Sequence, residues 1–199
     1  MTLPALDPRS TAVLAMDFQP GIMASIEQRS GAPAPIDTVV DVLDVARKAG
    51  TTVGYVRVAL TPEEAEAAPA HSQFGKMVAA GAAPGLAPDA ATTAVDDRIA
   101  PQPGDIVVRK SRIGAFSTTD LDEQLRAAGV TTLVLTGIAT SGVVLSTVRD
   151  AADRDYRIVV LSDACADGSP EVHDALVEKV LPAQATVTTS DRLAGMLGL

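Results

Sequence analysis

The sequence predicts a doubly wound α/β domain: a six-stranded, mainly parallel sheet with helices on both faces. Three observations carry that prediction. Short, nearly continuous apolar runs alternate with longer stretches of helical periodicity. Gly50 and Gly129 close two of those stretches, where a helix C-cap favours glycine. The 199 residues suffice for one domain with a sizeable core, and not for two large ones.

The elements follow in order. TAVLAMD, residues 11–17, is an apolar run of the kind a strand buried on both faces requires. Residues 36–50 place Ile36, Val39, Val40, Leu43 and Ala46 on one helical face. Residues 51–58 predict a second strand and 105–110 a third. A helix over 119–130 precedes the fourth strand, 131–137, and a helix over 141–153 precedes the fifth, 157–163. Pro170 opens another helix at a first-turn position, where proline is tolerated. Residues 185–190 predict a short sixth strand and 191–197 a terminal helix. Strands separated by helices imply parallel crossovers, and such sheets bind ligands beyond their carboxyl ends. That rule directs attention to Asp17, Arg57, Lys110, the stretch from Gly137 to Ser141, and Asp163.

Residues 60–104 break the rhythm with six prolines and many alanines. Short helices and turns are expected there, serving as a lid over the site or as a subunit interface. The whole chain, 1–199, reads as a single domain.

Composition narrows the function. The net charge is −9, from 16 basic and 25 acidic residues, with no basic stripe. Such a chain is a poor partner for nucleic acid or anionic membranes. Aromatic residues make up only 3%, too few for base-stacking platforms. No apolar run is long enough to cross a membrane and no signal peptide stands out, so a cytoplasmic protein is expected. A single cysteine, Cys165, excludes an internal disulfide and a Cys-rich zinc site.

Each candidate residue has a plain reading and a chemical one. Asp17, in MDFQPG, is a turn-capping aspartate or an acid–base group. Lys110, in VVRKSRIGAF, is a solvated strand-end lysine or the partner of an acid. The stretch from Gly137 to Val144, GIATSGVV, joins a strand to a helix. It is a tight turn with Thr140 or Ser141 as N-cap, or a set of N–H donors for a negative charge. Arg57 suits a substrate carboxylate or a surface ion pair. Phe18, Gln19, Phe116 and Thr140 are candidate pocket walls, with core packing the ordinary alternative. Ser146 shows no general base, and the only histidines are His71 and His173.

Asp17 in AMDFQPG, Lys110 in VVRKSRIGAFSTTDLDEQLRAAGV and the stretch TGIATSGVVLSTVRDAADRDY together resemble the isochorismatase-like, or cysteine hydrolase, family from residue 11 to about 192. The resemblance implies an Asp, a Lys and a Cys in the amidase branch, the first two falling on Asp17 and Lys110. The Cys belongs seventh in G-x-x-T-x-x-C-V, where this chain has Val143. Valine offers no lone pair, so acyl-enzyme chemistry at that position is excluded. Cys165 is expected to be a small buried hydrophobe.

The resemblance also implies a cis bond at Ile138–Ala139 and, from the isochorismatase branch, a route in which the Asp acts without cysteine. The zinc ligands of some nicotinamidases have no counterpart in VRVALTPEE, so no metal and no cofactor are expected. The preferred reading is a hydrolase of a small vinyl ether or small amide. Asp17 is the acid or base, Lys110 its electrostatic partner, Ile138, Ala139, Thr140, Ser141 and Val143 the anion-binding turn, and water the attacking group. The alternative is a catalytically silent ligand-binding or assembly protein. A homo-oligomer is expected, as family members commonly associate.

Overall fold

The computed structural model describes residues 3–199. Six parallel strands form one sheet: β1 (Thr11–Met16), β2 (Thr52–Val58), β3 (Ile106–Lys110), β4 (Thr132–Ile138), β5 (Arg157–Ala166) and β6 (Thr186–Thr188). Their order is β3-β2-β1-β4-β5-β6. Every residue of the central strands β1 and β4 is buried, as both faces of such a sheet are covered. The edge strand β3 alternates between buried and more exposed positions.

Two cores lie on opposite faces of the sheet. Val13 and Ala15 of β1 pack under α1 (Pro20–Ser30) and α2 (Ile36–Ala49). Ala12, Leu14 and Met16 face the other way, toward α5 (Leu121–Ala127) and α6 (Leu145–Asp153). The period-two alternation of a strand divides them in this way. The buried row of α2 is Ile36, Val39, Val42, Leu43 and Ala46, so Val42 takes the place expected of Val40. A side chain at Gly54 of β2 would put its Cβ 2.6 Å from Leu14, and this position keeps the two strands in close packing.

Helix α1 is not among the elements expected from the sequence. Pro20-Gly21 looks like a turn, yet Pro20 occupies the first helical turn, and Gly31 closes the helix at φ 72°. The fifth strand runs three residues past its expected end at Asp163, through a register irregularity opposite β4. Asp163 is therefore not at the strand tip; its carboxylate accepts the N–H and hydroxyl of Ser190.

Residues 60–104 hold α3 (Pro62–Glu66), α4 (Gln73–Ala79) and three single turns. A capping box between Thr61 and Glu64 starts α3. Leu60, Phe74 and Leu86 form a small separate core with Val58. The chain ends in α7 (Pro170–Ala175), irregular turns and α8 (Leu193–Met196). Among the described residues no helix is long and apolar enough to cross a membrane.

Candidate active site

Outward from β1 the sheet runs one way through β2 and β3 and the other way through β4 and β5. The crevice of a doubly wound sheet opens where that direction reverses, beyond the carboxyl ends of β1 and β4. A cavity of about 630 Å³ lies there. Asp17, Val58, Lys110, Ile138 and Val143 line its base. One face of α1 and the 60–104 segment, through Phe74, Met77 and Leu86, form its walls.

Asp17 follows β1 in a left-handed conformation, φ 62°, which a short polar side chain tolerates. Lys110 ends β3. These two strands are not neighbours, since β2 lies between them, and the length of the lysine side chain bridges the gap. Its Nζ donates to Asp17 Oδ2 at 2.8 Å, to the Ile113 carbonyl at 2.8 Å and to the Arg112 carbonyl at 3.2 Å. All three ammonium protons are engaged, which leaves Lys110 no free donor.

Both side chains are almost fully buried. Burial pushes the Asp17 carboxyl up to about 6, and the charge and hydrogen bond of Lys110 hold it from rising further. The second oxygen, Oδ1, is buried and has no hydrogen-bond partner. A buried acceptor left unpaired is costly, and at a cavity wall it marks where a ligand or water proton belongs.

Val143 is buried and lines the cavity. The bond from Ile138 to Ala139 is cis, and both residues line the cavity, as does Gly142. The chain itself occupies part of the turn expected to serve as an anion donor. The Ser141 N–H donates to Asp167 Oδ2 at 2.7 Å. The N–H groups of Gly142 and Val144 both return to the Ala139 carbonyl. Those three amides are already engaged, and a carboxylate of the chain itself occupies the helix start. Thr140 and Ser141 do not line the cavity. The Thr140 hydroxyl instead meets His173 Nδ1 at 2.8 Å.

The remaining candidates separate. Gln19 lines the cavity, but its amide is clamped: Nε2 donates to the carbonyls of Val58 and Thr93, and Oε1 accepts the Val58 N–H. Arg57 turns away and donates to the carbonyls of Pro88 and Thr93. Phe18 packs in the core beneath α2, and Phe116 stacks on Tyr156 at 6.0 Å between ring centres. Neither ring lines the cavity. Cys165 is buried opposite Gly137, its thiol pushed up to about 12 by desolvation. Among the described residues no group of three or more His, Cys, Asp or Glu is placed to hold a metal ion.

A family model described as an isochorismatase domain matches residues 11–192. The chain belongs to the isochorismatase family of hydrolases. It is 33% identical to a ureidoacrylate amidohydrolase RutB of Agrobacterium fabrum, over 99% of this chain and 96% of that one. A stronger but partial likeness, 49%, covers 44% of this chain and 34% of the ureidoacrylate amidohydrolase RutB of Methylobacterium radiotolerans. Among solved structures, an isochorismatase family protein of Burkholderia thailandensis superposes with a TM-score of 0.77 at 28% identity, over 100% of both chains. The N-carbamoylsarcosine amidase of Thermoplasma acidophilum gives 0.68 at 27%, over 92% of this chain and 97% of that one.

Proposed function

We infer that this isochorismatase-family chain hydrolyses a small amide or ureido compound by direct attack of water, with Asp17 as the proton-transfer group. The observation that carries the reading is the unpaired Oδ1 of Asp17, buried at the cavity wall with its carboxyl titrating near 6. A base with that pKa is largely ionised at neutral pH and still basic enough to take a proton from water. Amide-bond relatives, named for ureidoacrylate and N-carbamoylsarcosine, favour C–N cleavage over the vinyl-ether alternative.

Oδ1 accepts one proton from water while the water oxygen bonds to the carbonyl carbon. The tetrahedral intermediate then loses its C–N bond, and the proton held by Asp17 passes to the leaving nitrogen. Lys110 keeps Asp17 ionised before the step and balances the pair's charge. Val143 supplies no nucleophile; its hydrocarbon surface keeps that side of the cavity apolar.

The catalytically silent alternative draws support from the same valine. The two are separated by incubating wild type and Asp17→Asn with ureidoacrylate and following amine release. Turnover in wild type that falls at least 100-fold in the variant supports the hydrolase. Equal rates, or none in either, support the silent protein.

A further inference from the structure

The geometry points to Arg29 as the recognition site for a negatively charged group, a carboxylate, at the end of the ligand remote from Asp17. The inference rests on reading the cavity as a substrate pocket. Gly21, Ile22, Ser25, Ile26 and Arg29 all line it, a spacing that turns one face of α1 toward the ligand. Among the described residues three charged side chains line the cavity: Asp17, Lys110 and Arg29. The first two form a pair, so Arg29 leaves one positive charge uncompensated in a protein whose net charge is −9.

Arg29 is exposed, so its charge is open to solvent and to a ligand. Among the described residues Arg29 takes part in no ion pair. Its Nε donates back along the helix to the Ser25 carbonyl at 3.2 Å, and this lays the guanidinium over the preceding turn. Ser25 lies five residues beyond Pro20, or ~8 Å along the axis from the start of α1 next to Asp17. Ile22 and Ile26 stand between the two polar ends. The nearby acid Asp167 is held by the N–H groups of Ser141 and Ser169, and Glu27 by the N–H of Ala34.

Gly168 makes room for this arrangement. A Cβ there would lie 2.6 Å from Arg29 Cζ. Any side chain at 168 therefore displaces the guanidinium, whose flexible stem lets it move without disturbing the fold. The ligand that fits has an apolar middle, a carboxylate for the planar fork of Arg29 and its reacting group at Asp17.

The test uses ligands with no bond to hydrolyse, so its outcome is independent of whether Asp17 performs the proposed reaction. Phenylacetate, 3-phenylpropanoate and 4-phenylbutanoate are each titrated calorimetrically against the full chain, beside the primary alcohol of the same carbon skeleton. At least one acid is expected to bind 10-fold or more tightly than its alcohol. Arg29→Gln should bring that pair within 3-fold without changing the alcohol, Arg29→Lys should keep part of the preference, and Gly168→Ala should weaken the acid alone. Absence of any preference for an acid, or a preference that survives Arg29→Gln, overturns the assignment.

Discussion

Lys110 holds only one of the two carboxylate oxygens of Asp17: Nζ lies 2.8 Å from Oδ2, while Oδ1 is buried without a partner. A structural ion pair would be expected to satisfy both oxygens, because breaking or half-making a buried pair is costly. Here one oxygen is left unsatisfied in a residue that lines the cavity. Under the proposed hydrolysis the pair serves as a polarised base rather than as a brace for the fold.

The pH dependence of stability follows from the same burial. The Asp17 carboxyl lies near 6 in the folded chain against an ordinary 3.8. The native state then binds this proton more tightly than the unfolded state. Its stabilising contribution is complete below 3.8 and is lost as the pH rises through about 6. The span amounts to about 3 kcal/mol. Denaturant titrations between about pH 4 and pH 7 should show wild type losing stability relative to Asp17→Asn by that order.

Turnover distinguishes the two chemistries through the same group. Water attack on an amide needs Asp17 ionised, so kcat/KM should rise through about pH 6 and level off. A vinyl-ether route needs it protonated, and the rate would fall above about 6. Lys110→Met should move this limb to higher pH, because both effects that lower the Asp17 value come from Lys110. Stability should fall by ~3 kcal/mol, as three hydrogen bonds to a buried ammonium disappear.

Gln19 is a seam rather than a contact. Its amide joins the end of β2 to the turn at Thr93 through three hydrogen bonds. Gln19→Ala leaves the Val58 N–H and carbonyl unpaired and should cost about 3 kcal/mol in denaturant unfolding. Limited proteolysis should then cut within residues 83–99 sooner than in wild type.

Much of this was legible beforehand. The central strands show as apolar runs because both their faces are covered, and Asp17 and Lys110 mark strand tips by breaking such runs. The helix α1 gives a weak signal because its apolar residues serve two environments: Met23 enters the core, Ile22 lines the cavity and Ile26 touches both. With α1 unseen, Arg29 could not be placed. Asp167 was missed because the fifth strand reads as ending at Asp163, four residues too early to bring a carboxylate to the turn. Arg57 and Phe18 sit next to cavity residues in sequence and Phe116 follows Lys110 by six positions, yet all three side chains engage elsewhere.

Val143→Cys asks what else the family site retains. The side chain is buried at the cavity wall, so a thiol there would border the same cavity as Asp17. Iodoacetamide-sensitive amide hydrolysis is expected to appear, with stability within about 1 kcal/mol of wild type. A protein that remains inert to iodoacetamide at position 143 would show that the cavity does not reach the thiol.

The most direct measurement is hydrolysis of ureidoacrylate by wild type, Cys165→Ala and Asp17→Asn side by side near pH 7.5. Water attack assisted by Asp17 requires the first two rates to agree within about 2-fold and the third to fall by 100-fold or more. A rate lost in Cys165→Ala and kept in Asp17→Asn would contradict it and return the chemistry to sulfur.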